Sequence, residues 1–158
     1  MFREMTRIRQ QLTREECIGI LRNGKRGVLS VQGDDGYPYG LPFNHYYNEA
    51  DGCLYFHSGM TGHKIDAIRR CDKVSFCVYD QGFRREGQWA LNIKSVIVFG
   101  RIEIIEDKET IYDISRKLSH KFTQDNAYIE KEIIHSGPRT LMFRLVPEHM
   151  TGKLVNES

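Results

Sequence analysis

Hydrophobic positions change their period several times along this chain, and each change marks an element. In TREECIGILRNG, Cys17, Ile20 and Leu21 recur at helical spacing. Thr13 and Glu16 are placed to form a capping box, and Gly24 offers a left-handed residue at the far end. The pattern therefore predicts a first helix from about Thr13 to Asn23. Val28, Leu29 and Val31 then lead into the turn Gly33-Asp34-Asp35-Gly36 and a second β-rich run, which together predict a hairpin. Pro38 and Pro42 have no N–H to donate to a ladder, so the second strand belongs at an edge or is irregular near Pro42.

After a turn over Asn48 to Gly52, CLYFHS is a short strand, and the small polar loop Gly59-Met60-Thr61-Gly62 opens a helix from His63 to Arg70. KVSFCVYD alternates with Val74, Phe76 and Val78 on one face, and SVIVFGRIEII is a long strand interrupted by Gly100. Helical spacing returns from Asp107 to about His120 and from Asp125 to His135, before TLMFRLVPEHMTGKL reverts to strand. Five or six strands joined by turns, with helices mostly outside them, predict a mainly antiparallel barrel with helical covers, mainly β with α. A doubly wound dinucleotide fold would need a GxGxxG turn after an early strand, and none is present.

The 158 residues suit one domain, expected to span 1–158, with no internal repeat or linker. Hydrophobic residues at 40% and charged residues at 28% suit an ordinary globular protein, and a net charge of +2 argues against a nucleic-acid partner. No apolar run reaches the roughly 18 residues of a membrane span, and MFREMTRIRQQ lacks the apolar stretch of a signal peptide, so a cytoplasmic location is expected. Cys17, Cys53, Cys71 and Cys77 show no CxxC pair and are expected to be free thiols. His45, His57 and His63 lie near Cys53, but none of the spacings matches a zinc pattern, and no metal is expected.

The stretch from Phe56 to Asp66 suits a phosphate. A helix N-terminus presents unpaired N–H groups and partial positive charge, small residues allow close approach, and Ser58, Thr61 and Lys64 add donors. It is not a GxxxxGK[ST] loop. As a bare pattern it is also what an ordinary turn before a helix looks like, with Lys64 solvated.

The run GYPYGLPFNHYY, then GCLYFHSGMTGHKIDAIRR, KVSFCVYD and KSVIVFGRIEII resembles the pyridoxamine 5′-phosphate oxidase-related, FMN-binding split-barrel superfamily, most of all its nitroimidazole-reductase (Nim) type. The likeness covers roughly Glu16 to Lys153 and rests on the order and spacing of four blocks. It implies a six-stranded antiparallel split β-barrel with flanking helices, FMN as cofactor, and a homodimer with flavin sites at the subunit interface. In such proteins the segment here formed by Phe56, His57, Ser58, His63 and Lys64 holds the phosphate and ribityl chain, with His63 standing where a more basic residue is common. Pro42, Phe43, Asn44 and His45 are expected along the isoalloxazine. Lys94, Ser95 and Val96 match a further flavin-contacting motif, with Lys in place of the commoner Arg and without its planar fork. Trp89, the sole tryptophan, is placed to cover the flavin of a neighbouring subunit.

From the residues themselves, a donor-rich cationic end and an aromatic end suit FMN, although Phe43, Tyr46 and Trp89 would serve equally as packing. The expected activity is an FMN-dependent oxidoreductase that passes electrons from NADH or NADPH to a small acceptor such as a nitroaromatic, with His45 as the titratable side chain assisting proton transfer. The alternative is a flavin-binding or redox-sensing protein without turnover. Pyridoxamine 5′-phosphate oxidase activity would need a second cationic cluster, for which only Arg84-Arg85 is available. Haem or deazaflavin relatives share the fold, but none of His45, His57, His63, His120, His135 and His149 is marked out as an axial ligand.

Overall fold

The computed structural model describes residues 1–158. Helix α1 runs Arg14–Asn23, and its capping box is formed: the Glu16 amide donates to Thr13 Oγ1 at 3.2 Å, and the Thr13 amide donates to Glu16 Oε2 at 2.8 Å. Gly24 is not left-handed as expected but extended, with φ −67°. Crowding is the reason for glycine there, since a Cβ would lie 2.9 Å from both the Ile20 carbonyl oxygen and Val78 Cγ1.

The strands are β1 (Arg26–Gln32), β2 (Pro38–Asn44), β3 (Tyr46–Asn48), β4 (Cys53–Gly59), β5 (Lys73–Tyr79), β6 (Phe83–Arg84), β7 (Leu91–Ile105) and β8 (Thr140–Asn156). They form one antiparallel sheet ordered β2-β1-β5-β7-β8-β4-β3, with β6 paired to β7 beside that path. Eight strands replace the expected six. The two additions, β3 and β6, are three and two residues long, too short to carry a period-2 signal in sequence.

Helix α2 covers His63–Arg70, α3 Lys108–Ser119 and α4 Asn126–Ser136. Asp107 and Asp125 cap the last two through the amides of Thr110 and Tyr128. No helix is long and apolar enough to cross a membrane.

The sheet is curled but not closed by a ladder. Its two edge strands, β2 and β3, are separated in sequence by His45 alone, so the chain itself crosses the gap. Inside, Phe43 of β2 meets Phe56 of β4 and Phe143 of β8 edge-on, both at 5.7 Å, while Phe56 also packs on Phe76 of β5 at 5.0 Å. These rings join opposite walls and hold the split at a fixed width. Pro38 and Pro42 lie on edge strand β2, where the missing N–H groups cost no ladder bond.

Gly100 does not end its strand. It sits where the β7–β8 register shifts, and a Cβ there would collide with the Val146 carbonyl oxygen. Gly100→Ala is expected to lower stability by about 1–3 kcal/mol, as overpacking does. Urea denaturation checks this, and a midpoint unchanged from wild type would contradict it.

Candidate flavin-type cradle at the barrel split

The last four residues of β4, Phe56 to Gly59, extend past the end of β3, whose pairing stops at Tyr46 opposite Tyr55. His57, Ser58 and Gly59 therefore have β8 on one side and an open edge on the other. Alternation turns Phe56 and Ser58 inward and His57 outward. Past them, Gly62 adopts φ 128°, a conformation that strains other residues, and α2 starts at once, so the amides of His63 and Lys64 lack helical acceptors.

Two side chains give this corner its chemistry. The Ser58 residue is only 9% exposed, and its Oγ is buried with no hydrogen-bond partner, an arrangement that costs about 1–3 kcal/mol unless something meets it. Lys64 reaches back from α2 so that its Nζ lies 5.1 Å from the centre of the Phe43 ring. Beside them, on the outer side of the split, Arg26, Pro42, Phe43, Asn44 and His57 line a groove of about 400 Å³. Arg26 Nε donates to Asn44 Oδ1 at 3.2 Å and so fixes the amide. Protein atoms crowding the His57 ring lower its pKa below the ordinary imidazole range, although the residue keeps an accessible edge in the groove. The result is a cationic, donor-rich end against an apolar slot, which fits a phosphate joined to a flat ring system.

Several expected site residues are placed otherwise. His45 is fully buried; its Nε2 lies 2.8 Å from the Leu21 carbonyl and its ring meets Phe76 edge-on, so it is a core residue behind the groove and not a proton donor within it. Burial, then the nearby Lys121 ammonium, push its pKa down to about 4. Phe56 and Val96 are likewise wholly buried in the core, leaving only their backbones for any contact. His63 turns away from Lys64, stacking on Tyr39 at 4.3 Å with its Nε2 3.6 Å from Asp34.

Lys94 and Ser95 lie on the first half of β7, Ser95 opposite Tyr79 of β5 and Lys153 of β8, and neither lines the groove at the split. Lys94 Nζ is 3.9 Å from Glu16, and its amide donates to Asp80 Oδ1. Trp89, in the loop between β6 and β7, is 75% exposed, and its carbonyl accepts from Arg84 Nε at 3.0 Å. One chain thus carries the phosphate corner and the β7 motif as separate surfaces.

Two residues were not singled out from sequence. Arg26 could have been found from hairpin register, since it pairs with Asn44. Lys121 carries no local signal: its Nζ donates to the carbonyls of Gly24 and His45 at 2.5 and 2.6 Å, pinning the start of β1 to the crossover between the sheet edges. No group of three or more His, Cys, Asp or Glu side chains converges as a metal site would require.

A curled antiparallel sheet opened at one seam, with a phosphate-type corner beside the seam, is the split barrel of flavin-binding proteins. Comparison with known proteins agrees. The pyridoxamine 5′-phosphate oxidase family matches residues 13–154, and the chain belongs to that family. A Bacteroides thetaiotaomicron protein described as a candidate 5-nitroimidazole antibiotic resistance protein is 20% identical, with a TM-score of 0.75 over 92% of this chain and 87% of its own. An FAD-binding protein from Mesorhizobium loti is 27% identical, with a TM-score of 0.66 over 92% and 97%. A flavocytochrome from Azotobacter vinelandii is 17% identical, with a TM-score of 0.70 over 96% and 72%. No curated protein matches the sequence.

Proposed function

We propose that this protein binds FMN at the split and works as a homodimeric oxidoreductase, taking electrons from NADH or NADPH and passing them to a small acceptor, nitroaromatics among them. The observation that carries the reading is Ser58 Oγ, buried without a partner on β4, the strand that leads through Gly62 into the start of α2, from which Lys64 reaches over the Phe43 ring. A phosphate monoester would satisfy all of them at once. Flavin binding by structural relatives supports the same assignment.

In this reading Ser58, Lys64 and the amides of His63 and Lys64 hold the phosphate, while Pro42, Asn44 and His57 border the ring. The bound flavin supplies the hydride-accepting and electron-donating chemistry. The protein orients both reactants and keeps bulk water from the inner side of the slot, where Phe43 and Phe56 are packed. His57 takes over the proton-exchanging role expected of His45, because it alone of the two reaches the groove.

A second copy of the chain is supported by the outer face of β1, β5 and β7. Val28, Ile97 and Phe99 are each about 40% exposed there, an apolar surface larger than scattered single residues explain. A partner on this face is also the simplest way for Ser95 and Trp89 to serve a flavin, since neither lines the groove of its own chain.

Purification without added cofactor, followed by an absorption spectrum and chromatography of any released chromophore, tests the assignment. Released FMN is expected. Lys64→Ala and Ser58→Ala are each expected to weaken FMN retention by roughly tenfold or more, the worth of a charge-assisted hydrogen bond or of its receiving hydroxyl. A colourless protein that takes up no added FMN overturns the reading. Bound flavin with no oxidation of NADH or NADPH would leave a flavin carrier without turnover.

A further inference from the structure

The protein carries a larger groove than the one at the split. It lies between the C-terminal half of α1, the turn from Gly24 to Arg26, the end of β5 and the start of β7, with a volume of about 720 Å³. Arg26 lines both grooves, which makes them neighbours on one face. Two cross-strand pairs continue that neighbourhood: Asn44 stands opposite Arg26, and Tyr79 opposite Ser95.

The charges of this groove are unequally occupied. Its carboxylates, Glu16 and Asp80, are engaged by the chain: Glu16 Oε2 accepts from the Thr13 amide, and Asp80 Oδ1 accepts from the amides of Gly82 and Lys94 at 3.0 Å each. Of its cations, Lys94 has an acid partner, its Nζ 3.9 Å from Glu16, while Lys25 and Arg26 have none. Lys25 Nζ meets only the face of Phe122, at 5.7 Å, and Arg26 donates to the neutral Asn44 amide; neither forms an ion pair. Tyr79 lines the same groove and is 65% exposed. Unpaired cations beside an open aromatic face suit a planar molecule bearing a carboxylate.

We infer that this groove is a second-substrate subsite, which takes a small planar aromatic carboxylate, with Lys25 and Arg26 holding the anion and Tyr79 the ring. The inference rests on the flavin reading for its role in turnover, but the groove's preference for an anion stands on its own residues. Position supports the role: a molecule anchored at Arg26 extends toward the slot bordered by Asn44.

The test titrates the purified protein, with the flavin it retains, with 4-nitrobenzoate and its uncharged isostere 4-nitrobenzamide, by calorimetry. The carboxylate is expected to bind at least about tenfold more tightly, a modest value for one charge-assisted contact. Lys25→Met, at an exposed position, should cut that preference to about twofold, and Tyr79→Ala should weaken both probes alike. Equal affinity for the two probes, or a preference untouched by Lys25→Met, overturns the inference. So does displacement of 4-nitrobenzoate by equimolar inorganic phosphate, which would mark a generic anion site without a ring pocket. Flavin content is read from the absorbance of each sample. Protein that never binds flavin yet prefers 4-nitrobenzoate therefore defeats the proposed function while leaving the groove's assignment intact.

Discussion

Phe56→Ala is expected to lower unfolding free energy by about 3–5 kcal/mol, the range for removing a fully buried aromatic ring. Phe56 has no exposed surface and touches three other rings: Phe76 at 5.0 Å, Phe143 at 5.3 Å and Phe43 at 5.7 Å. The cavity left behind could not collapse easily, because the rings around it belong to three different strands. Urea denaturation monitored by circular dichroism measures the loss, and Phe56→Leu should recover much of it. The same substitution should loosen flavin retention, since Phe43 would lose its partner across the seam and Lys64 rests on Phe43. A loss under about 1 kcal/mol would mean that the seam is held by something other than these rings.

Acidification is expected to produce a loss of similar size through His45. Its Nε2 lies against the Leu21 carbonyl and so carries the hydrogen, leaving Nδ1 buried and bare. A proton on Nδ1 would place a cation in the core, close to Lys121, whose ammonium is bound to the His45 carbonyl. Burial and then that ammonium bring the pKa down from 6.5 to about 4. Between those values the unfolded chain binds a proton that the folded chain refuses. The stabilisation is therefore complete above pH 6.5, declines as pH falls, and is gone below about pH 4.

The shift corresponds to roughly 3 kcal/mol. His57, lowered by the protein atoms that crowd its ring, acts in the same direction. Urea midpoints measured at pH 7, 5.5 and 4.5 for wild type and His45→Asn isolate the His45 part, because the variant should have a shallower slope while other shifted groups such as His57 and Glu16 keep theirs. Identical slopes would show that His45 is not the residue being titrated.

Much of the architecture was legible locally. The capping box at Thr13 and Glu16, the alternation of Val74, Phe76 and Val78, and the proline-marked edge strand all formed where their patterns put them. The strand, loop and helix start between Phe56 and Asp66 were legible for the same reason: glycine spacing and a helix start lie within one short segment. Resemblance over four blocks identified the family, which the match over residues 13–154 then established.

Tertiary structure decided what depends on direction and distance. A sequence places His45 and His57 alike, as histidines on strands, but the crossover between the two edges of the sheet turns His45 into the core while alternation leaves His57 in the groove. His63 and Lys64 are adjacent in sequence, yet helical geometry sends one toward Asp34 and the other over Phe43. Lys121, more than seventy residues from the carbonyls it joins, leaves no periodic or spacing trace at all. The sequence by itself determined the long strands, the helices and the family, because those follow from short-range patterns and their order. Which side chains share a surface was settled only when the sheet curled and met itself at the seam, since a contact between distant segments is a property of the closed chain and not of any one stretch of it.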